Sequence, residues 1–102
     1  MATLLVLYHQ PTDPTAFDAH YTQTHIPLAK QLPGLRSYTI NAGPVISPGG
    51  PSPYHLIAEL TFDSLANLQA ALGSAEGQAA VADLANFAQA GVTIVMYEPR
   101  AA

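Results

Sequence analysis

The sequence contains no cysteine and no tryptophan, and charged residues of either sign are scarce. Without cysteine, the chain has no disulfide bonds, no thiolate nucleophile and no zinc site of the cysteine type. Its lysines and arginines are only Lys30, Arg36 and Arg100, and the formal net charge is −4. Nucleic acids and anionic membranes are bound by clusters of Lys and Arg, so we expect neither partner.

Long hydrophobic runs are also missing. No apolar stretch reaches the roughly 20 residues that a membrane span requires, and the first residues lack the basic segment of a secretory signal. We therefore expect a cytoplasmic protein. The length predicts a single domain over residues 1–102. Charged residues make up 10% of the chain, less than half the usual share of about 25%, which suggests that another subunit covers part of the surface.

The pattern of apolar residues predicts alternating strands and helices. Strands are expected over 3–9, 35–41, 54–62 and 92–98, and helices over about 14–31, 65–73 and from 74 to shortly before Gly91. The segment 43–53, rich in proline and glycine, is predicted to be a long loop. Two βαβ units joined by a hairpin give an α+β, ferredoxin-like βαββαβ fold, with a four-stranded antiparallel sheet and helices on one face.

One face of such a sheet has no helices to cover it. In the third strand this face is predicted to carry a mixed set of side chains, namely His55, Ile57, Glu59 and Thr61. Packing two such faces together predicts a homodimer. Two roles remain open for Glu59: a base with a raised pKa inside the dimer, or the favoured one, an ion pair with Arg36 at the subunit interface.

The first predicted helix carries the most informative residues. At 100° per residue, its buried stripe consists of Phe17, Tyr21, Leu28 and Leu32. His25 lies at the edge of this stripe, and His20 projects away from it. Pro27 lacks an N–H group to donate to the carbonyl of Gln23, so the helix should kink or loosen beside His25. In the last helix, Val81, Leu84 and Ala88 are predicted to face inward, with Phe87 close by.

The stretch from Leu7 to Tyr38 resembles the EthD family, named after a protein of ethyl tert-butyl ether degradation. The matching motifs are Tyr8, Phe17-Asp18, Tyr21, His25-Ile26-Pro27-Leu28, Gly34-Leu35, Pro53-Tyr54, Phe62-Asp63-Ser64 and the segment Asp83 to Phe87. The resemblance implies a dimeric α+β barrel. It does not imply one reaction, because relatives on this barrel include muconolactone isomerases, cofactorless monooxygenases, decarboxylases and dehydratases.

His25 is the predicted catalytic residue, since imidazole exchanges protons near neutral pH and the characteristic histidine of the family falls here. We expect a hydrophobic, cyclic or aromatic ligand in a cleft beside the first helix, covered by the segment 43–53. Its predicted binding residues are Tyr8, Phe17, Tyr21 and Tyr38. His25 would donate or accept a proton in an isomerisation, dehydration or decarboxylation.

Other roles for these residues remain open. His25 and the tyrosines also fit ordinary core packing, and Asp18 either reaches His25 or caps and solvates its helix. No metal site is expected, because the four histidines lack ligand spacing. No cofactor is expected, because nucleotide-binding motifs are missing. Two other hypotheses are a non-catalytic ligand-binding or accessory protein of a degradation or biosynthetic pathway, and an interaction protein without a cavity.

Overall fold

The computed structural model describes residues 1–102 and has the predicted α+β, ferredoxin-like fold. The elements in chain order are β1 (Ala2–His9), α1 (Pro14–His20), a π-helical turn (Tyr21–His25), α2 (Ile26–Ala29), β2 (Ser37–Ile40), β3 (Ile46–Ser47), β4 (Gly50–Pro51), β5 (Tyr54–Phe62), α3 (Leu65–Gly73), α4 (Ala75–Phe87) and β6 (Val92–Tyr97). Four strands form one antiparallel sheet in the order β2-β5-β1-β6, with the helices on one face. None of the helices is long and apolar enough to span a bilayer.

Side-chain caps fix where the helices begin. The Asp13 carboxylate accepts a hydrogen bond from the Ala16 amide at 3.1 Å, and Pro14 occupies the first turn, where its missing N–H costs nothing. The hydroxyls of Ser64 and Ser74 cap α3 and α4 in the same way, each at 3.0 Å from an amide of the first turn. These caps lie where the sequence predicts helix starts.

The core lies between the sheet and the helices. Alternate side chains of β1 and β5 point into it, which is the period expected of strands with one covered face. The strand residues buried there are Leu4, Val6, Tyr8, Leu56, Ala58, Leu60 and Phe62. They pack against Phe17, Tyr21, Leu68 and Phe87 of the helices. Aromatic rings therefore concentrate where the first helical segment crosses the sheet.

The inward face of α4 differs from the prediction. Val81, predicted to be buried, is 50% exposed, whereas Asp83 is buried with a relative exposure of 6%. The buried residues of the helix are Gly77, Ala80, Asp83 and Phe87. A Cβ atom at position 77 would lie 2.2 Å from the carbonyl oxygen of Ala71, so this glycine lets α4 pack directly against the end of α3. That contact fixes which side of α4 faces inward.

The predicted partner of Arg36 is wrong. Arg36 precedes β2, is exposed, and binds Asp63 through two hydrogen bonds of 2.9 and 2.7 Å. Glu59 lies between Leu5 and Thr39 on the uncovered face of the sheet. Asp63 immediately follows β5, so its carboxylate lies at the surface beside Arg36, and the ion pair forms there.

The segment 43–53 is more regular than a plain loop. Its strands β3 and β4 form a two-residue ribbon in which Ile46 pairs with Pro51 and Ser47 with Gly50. Ile46 is 81% exposed. The ribbon extends from the end of β2 and returns the chain to the start of β5.

Candidate functional site

The first helical segment changes hydrogen-bonding pattern at the predicted irregular region. Between Tyr21 and His25 it forms a π-helical turn, in which the Ile26 amide donates to the carbonyl of Tyr21, five residues earlier. Pro27 follows directly and has no amide hydrogen to continue a regular α-helical pattern. The wider turn directs both Tyr21 and His25 toward the sheet, where their relative exposures are 1% and 6%. His25 is therefore inside the buried stripe rather than at its edge.

His25 has a polar partner on each ring nitrogen. Its Nδ1 lies 3.0 Å from Oδ2 of Asp83, and its Nε2 lies 3.4 Å from the hydroxyl oxygen of Tyr8. Beside an ionised carboxylate, Nδ1 carries the proton and donates it, which leaves Nε2 as the acceptor. The distance to Tyr8 is long for a hydrogen bond, so Nε2 is only weakly engaged.

Asp83 is shared by two histidines and an asparagine. His20 Nε2 lies 2.9 Å from Oδ1 and 3.1 Å from Oδ2, and Asn86 Nδ2 donates to Oδ1 at 3.0 Å. Burial alone would raise the pKa of Asp83, but the hydrogen bonds from Asn86, His20 and His25 together lower it. The carboxylate is therefore ionised at neutral pH. His20, predicted to project away from the buried stripe of its helix, lies at the boundary with α4, where its side chain is 28% exposed.

Sequence reasoning did not identify Asp83 as a functional residue. Its partner His25 is 58 residues away in the chain, and no local spacing joins the two. Two signals were present: Asp83 opens the last segment that resembles the EthD family, and it precedes the buried Phe87 by one helical turn.

The environment favours the uncharged form of His25. Burial lowers the pKa of His25, and the hydrogen bond to the Asp83 carboxylate offsets this effect only in part. At neutral pH the imidazole is therefore neutral, with a free electron pair on Nε2. This is the form that accepts a proton.

His25 faces an apolar cavity of about 90 Å³ between the sheet and the helices. Of the 15 lining residues, 14 are hydrophobic and His25 is the exception. Tyr8, Tyr21 and Tyr38 also line it, so the structure brings four of the five predicted site residues together. Val81 and Ile94 lie on its outer side and are 50% and 42% exposed. The cavity therefore opens between α4 and β6.

The tyrosine hydroxyls form the polar part of this cavity. Those of Tyr21 and Tyr38 are hydrogen-bonded to each other at 2.5 Å. Burial raises the pKa of Tyr8, Tyr21 and Tyr38 above the ordinary value, so all three are neutral phenols. Phe17 lies behind them, stacked on Tyr21 with ring centroids 6.0 Å apart, and does not line the cavity. In this position Phe17 supports the ring of Tyr21 from behind.

A larger and more polar cleft of about 530 Å³ lies beside the first helical segment. Its walls include Asp18, Tyr21, Asn41 and His55, together with residues 43–45 of the loop that was predicted to cover a ligand. Tyr21 lines both this cleft and the apolar cavity. His25 lines only the cavity, so the two parts of the predicted site are adjacent spaces that share one tyrosine.

His55 and Asp18 occupy places that the sequence did not predict. The Asp18 carboxylate lies 2.8 Å from His55 Nε2 and does not contact His25. His55 also packs against the ring of Phe17, so it points toward α1 rather than toward the uncovered face of the sheet. The register between β1 and β5 shifts between Tyr8 and His9, and this irregularity reverses the side on which His55 emerges.

His9 completes the set of four histidines and lies 3.4 Å from the hydroxyl oxygen of Thr93. The side chains of His, Asp and Glu do not form any group of three or more with the geometry of a metal site. The cluster around Asp83 is a hydrogen-bonded unit, because both neighbouring histidines point a ring nitrogen at the carboxylate.

A ferredoxin-like fold with a cavity between its sheet and helices defines a class of small α+β proteins. Within this class, the EthD domain model matches residues 9–91. An uncharacterised 11.0 kDa protein from the thcB–thcC intergenic region of Rhodococcus erythropolis is 41% identical over 95 residues, which cover 93% of this chain and 91% of that protein. The solved structure of an EthD family protein from Bacillus halodurans is 38% identical, with a TM-score of 0.90 and coverage of 98% of this chain and 99% of that chain. The chain belongs to the EthD family.

More distant solved structures share the fold. A dimeric ferredoxin-like protein of unknown function from Thermobifida fusca is 18% identical, with a TM-score of 0.69 over 94% of this chain and 88% of that chain. SnoaB, a cofactor-independent oxygenase from Streptomyces nogalater, is 13% identical, with a TM-score of 0.67 over 99% of this chain and 94% of that chain. Such low identities establish the common fold and do not transfer a reaction.

Proposed function

We propose that this protein is a homodimer that binds a hydrophobic, cyclic or aromatic small molecule and transfers a proton on it without a cofactor. The observation that carries the proposal is the placement of His25, whose Nδ1 lies 3.0 Å from the Asp83 carboxylate and whose side chain is the one non-hydrophobic group lining an apolar cavity. The presence of a cofactor-independent oxygenase and of dimeric proteins among the structures with this fold is consistent with it.

The arrangement suits general base catalysis. Nε2 takes a proton from a carbon or oxygen of the ligand, and the Asp83 carboxylate stabilises the imidazolium that forms. Because the side chains of His25 and Asp83 are only 8% and 6% exposed, water screens the interaction between these charges little. In the second half of the reaction, Nε2 returns the proton to another atom of the ligand. Isomerisation, dehydration and decarboxylation of an activated acid all require such a transfer.

The tyrosines suit the binding of a ligand oxygen. Tyr21 and Tyr38 are neutral phenols in the cavity wall, and the one that accepts the hydrogen bond between them keeps its own proton to donate to a carbonyl or enolate oxygen. A cavity of about 150 Å³ accommodates benzene in a protein core, whereas this one measures about 90 Å³. A cyclic ligand therefore has to displace Val81 or Ile94 at the outer side of the cavity, where both side chains have room to move.

The proposal is tested with 5-nitrobenzisoxazole, an aromatic compound that reports a base in an apolar site. Removal of its ring C–H proton breaks the N–O bond and produces a coloured cyanonitrophenolate. We expect the purified protein to accelerate this reaction about 100-fold or more over free imidazole at equal concentration, as positioned bases do. His25→Gln should abolish the acceleration and leave the melting temperature within a few degrees.

The matched control is His9→Gln, because His9 lies on the outer part of the sheet near Thr93, away from the cavity. This variant should keep the full rate. If the protein bound the probe, measured by tyrosine fluorescence, while neither variant changed its reaction rate, the proton-transfer proposal would be wrong. The protein would then be a non-catalytic ligand-binding protein of the kind considered from the sequence.

A further inference from the structure

The two histidines on Asp83 differ in their access to water. The side chain of His25 is 8% exposed and that of Asp83 is 6% exposed, whereas His20 is 28% exposed. His20 stacks on Phe87 with ring centroids 5.1 Å apart and borders a separate cleft of about 420 Å³ on the outer side of α1 and α4. A single carboxylate therefore joins a solvent-facing imidazole to the imidazole of the cavity.

The buried carboxylate can stabilise a positive charge on either imidazole, but not on both equally well. Charging His20 needs little desolvation, because part of its ring stays in contact with water. Charging His25 would place a positive charge on a side chain that is almost entirely out of contact with water, which costs more free energy. Once His20 is charged, it compensates Asp83 and repels a second proton on His25, since both rings lie within hydrogen-bonding distance of Oδ2.

We propose that His20 is a positioning residue of this site: a positive charge on its solvent-facing ring compensates Asp83 and thereby keeps His25 in its neutral, proton-accepting form. The catalytic meaning of this role rests on the proposed function. The electrostatic relation among His20, Asp83 and His25 does not depend on any substrate.

The polar groups around the cluster are consistent with this role. His25 faces Asp83 from α4 and the hydroxyl of Tyr8 from β1, and it shares the cavity with Tyr21 and Tyr38. His20 faces α4 through Asp83 and the ring of Phe87, and it borders the outer cleft that Asp13 also lines. Asn86 donates to Oδ1 and is uncharged, so it holds the carboxylate in place without competing for a proton. We therefore compare the cluster with and without a positive charge on His20.

The experiment follows the ring nitrogens of ¹⁵N-labelled protein by NMR between pH 8 and pH 4, with no ligand added. His20→Gln retains an N–H donor for Asp83 but cannot be charged. In this variant the midpoint of the His25 titration should move upward by about one pH unit, because Asp83 then has no competing cation.

The matched control is His55→Gln, which removes another partly exposed histidine that is paired with a carboxylate, here Asp18. It should leave the His25 midpoint unchanged. His20→Asn provides a second uncharged substitution in case the glutamine variant folds poorly. A His25 midpoint that stays in place or falls in both His20 variants would overturn the proposal, even if the probe reaction showed that His25 is the base.

Discussion

His25 and Asp83 form one functional unit although 58 residues separate them in the chain. The sequence identified His25 because imidazole chemistry, the adjacent proline and the family motif coincide there. Asp83 was not identified, because a carboxylate on a helix is usually exposed. Its burial is tolerable because His20, His25 and Asn86 all donate hydrogen bonds to it. Only the three-dimensional structure shows that these donors converge.

The lowered pKa of His25 predicts that the folded protein loses stability in mildly acidic solution. Burial lowers the pKa of His25 in the folded protein, so below about pH 6.5 the unfolded chain binds a proton that the folded chain does not. The stability that neutral His25 contributes is fully present above about pH 6.5, and it is lost as the pH falls through the lowered pKa of His25. Asp83, whose pKa is also lowered, adds a similar loss in more acidic solution, below about pH 4.

Thermal unfolding measured from pH 8 to pH 5 checks this expectation. The melting temperature of the wild type should fall as the pH decreases below about 6.5. In His25→Gln the decrease should be clearly smaller, because glutamine does not titrate. Parallel curves for the wild type and His25→Gln would show that His25 has the same protonation in the folded and the unfolded chain.

Among the elements, the strand boundaries were predictable from the sequence, but the side of α4 that faces the core was not. The strand over 54–62 agrees with the structure because its alternation is regular and its ends are marked by Pro53 and Asp63. In α4, alanine is the commonest residue and large apolar side chains are few, so hydrophobic periodicity gives little information about its orientation. The buried Gly77 sets the orientation through backbone contact with α3, which no pattern of side chains reveals. The irregular turn near Pro27 was predictable in position, but not its π-helical form.

The close packing of α3 and α4 predicts different effects at two nearby glycines. In Gly77→Ala the new methyl group would meet the carbonyl oxygens of Ala71 and Leu72 at 2.2 and 2.5 Å, so the helices must move apart. We expect a loss of about 3 kcal/mol in the free energy of unfolding, measured with urea. At Gly73 a Cβ atom meets nothing within 4 Å.

Gly73→Ala is therefore the control, and its free energy of unfolding should change by less than about 1 kcal/mol. The NMR signals of His25 offer a second readout, because Asp83 lies on the helix that Gly77 positions. Equal effects of the two substitutions on stability would contradict the view that Gly77 determines the orientation of α4.

At the scale of the whole molecule, the scarcity of charge corresponds to an uncovered sheet face on which apolar side chains alternate with a few polar ones. Leu5 lies opposite Val95 of β6 and Glu59 of β5, and Leu7 lies opposite Ile57. Val95 and Tyr97 on this face are 44% and 46% exposed in the single chain. Solved structures with the same fold are described as dimeric. We propose that this face forms the dimer interface.

Val95→Glu tests the proposed interface. Glutamate at position 95 would lose its hydration in the dimer and would add a second carboxylate to the face that already carries Glu59, so the variant should be monomeric. Sedimentation equilibrium should give a dimer for the wild type and a monomer for Val95→Glu. Ile46→Glu alters an exposed apolar residue on the β3–β4 ribbon and should remain dimeric. A dimeric Val95→Glu protein would place the interface elsewhere.

The most direct measurement of the central claim is the dependence of kcat/KM on pH for the 5-nitrobenzisoxazole reaction. If neutral His25 is the base, kcat/KM is constant in alkaline solution and decreases ten-fold per pH unit below a midpoint lower than 6.5. This midpoint should equal the one obtained for His25 by NMR. A rate that does not depend on pH, or a profile that His25→Gln leaves unchanged, would contradict the assignment of His25 as the proton acceptor.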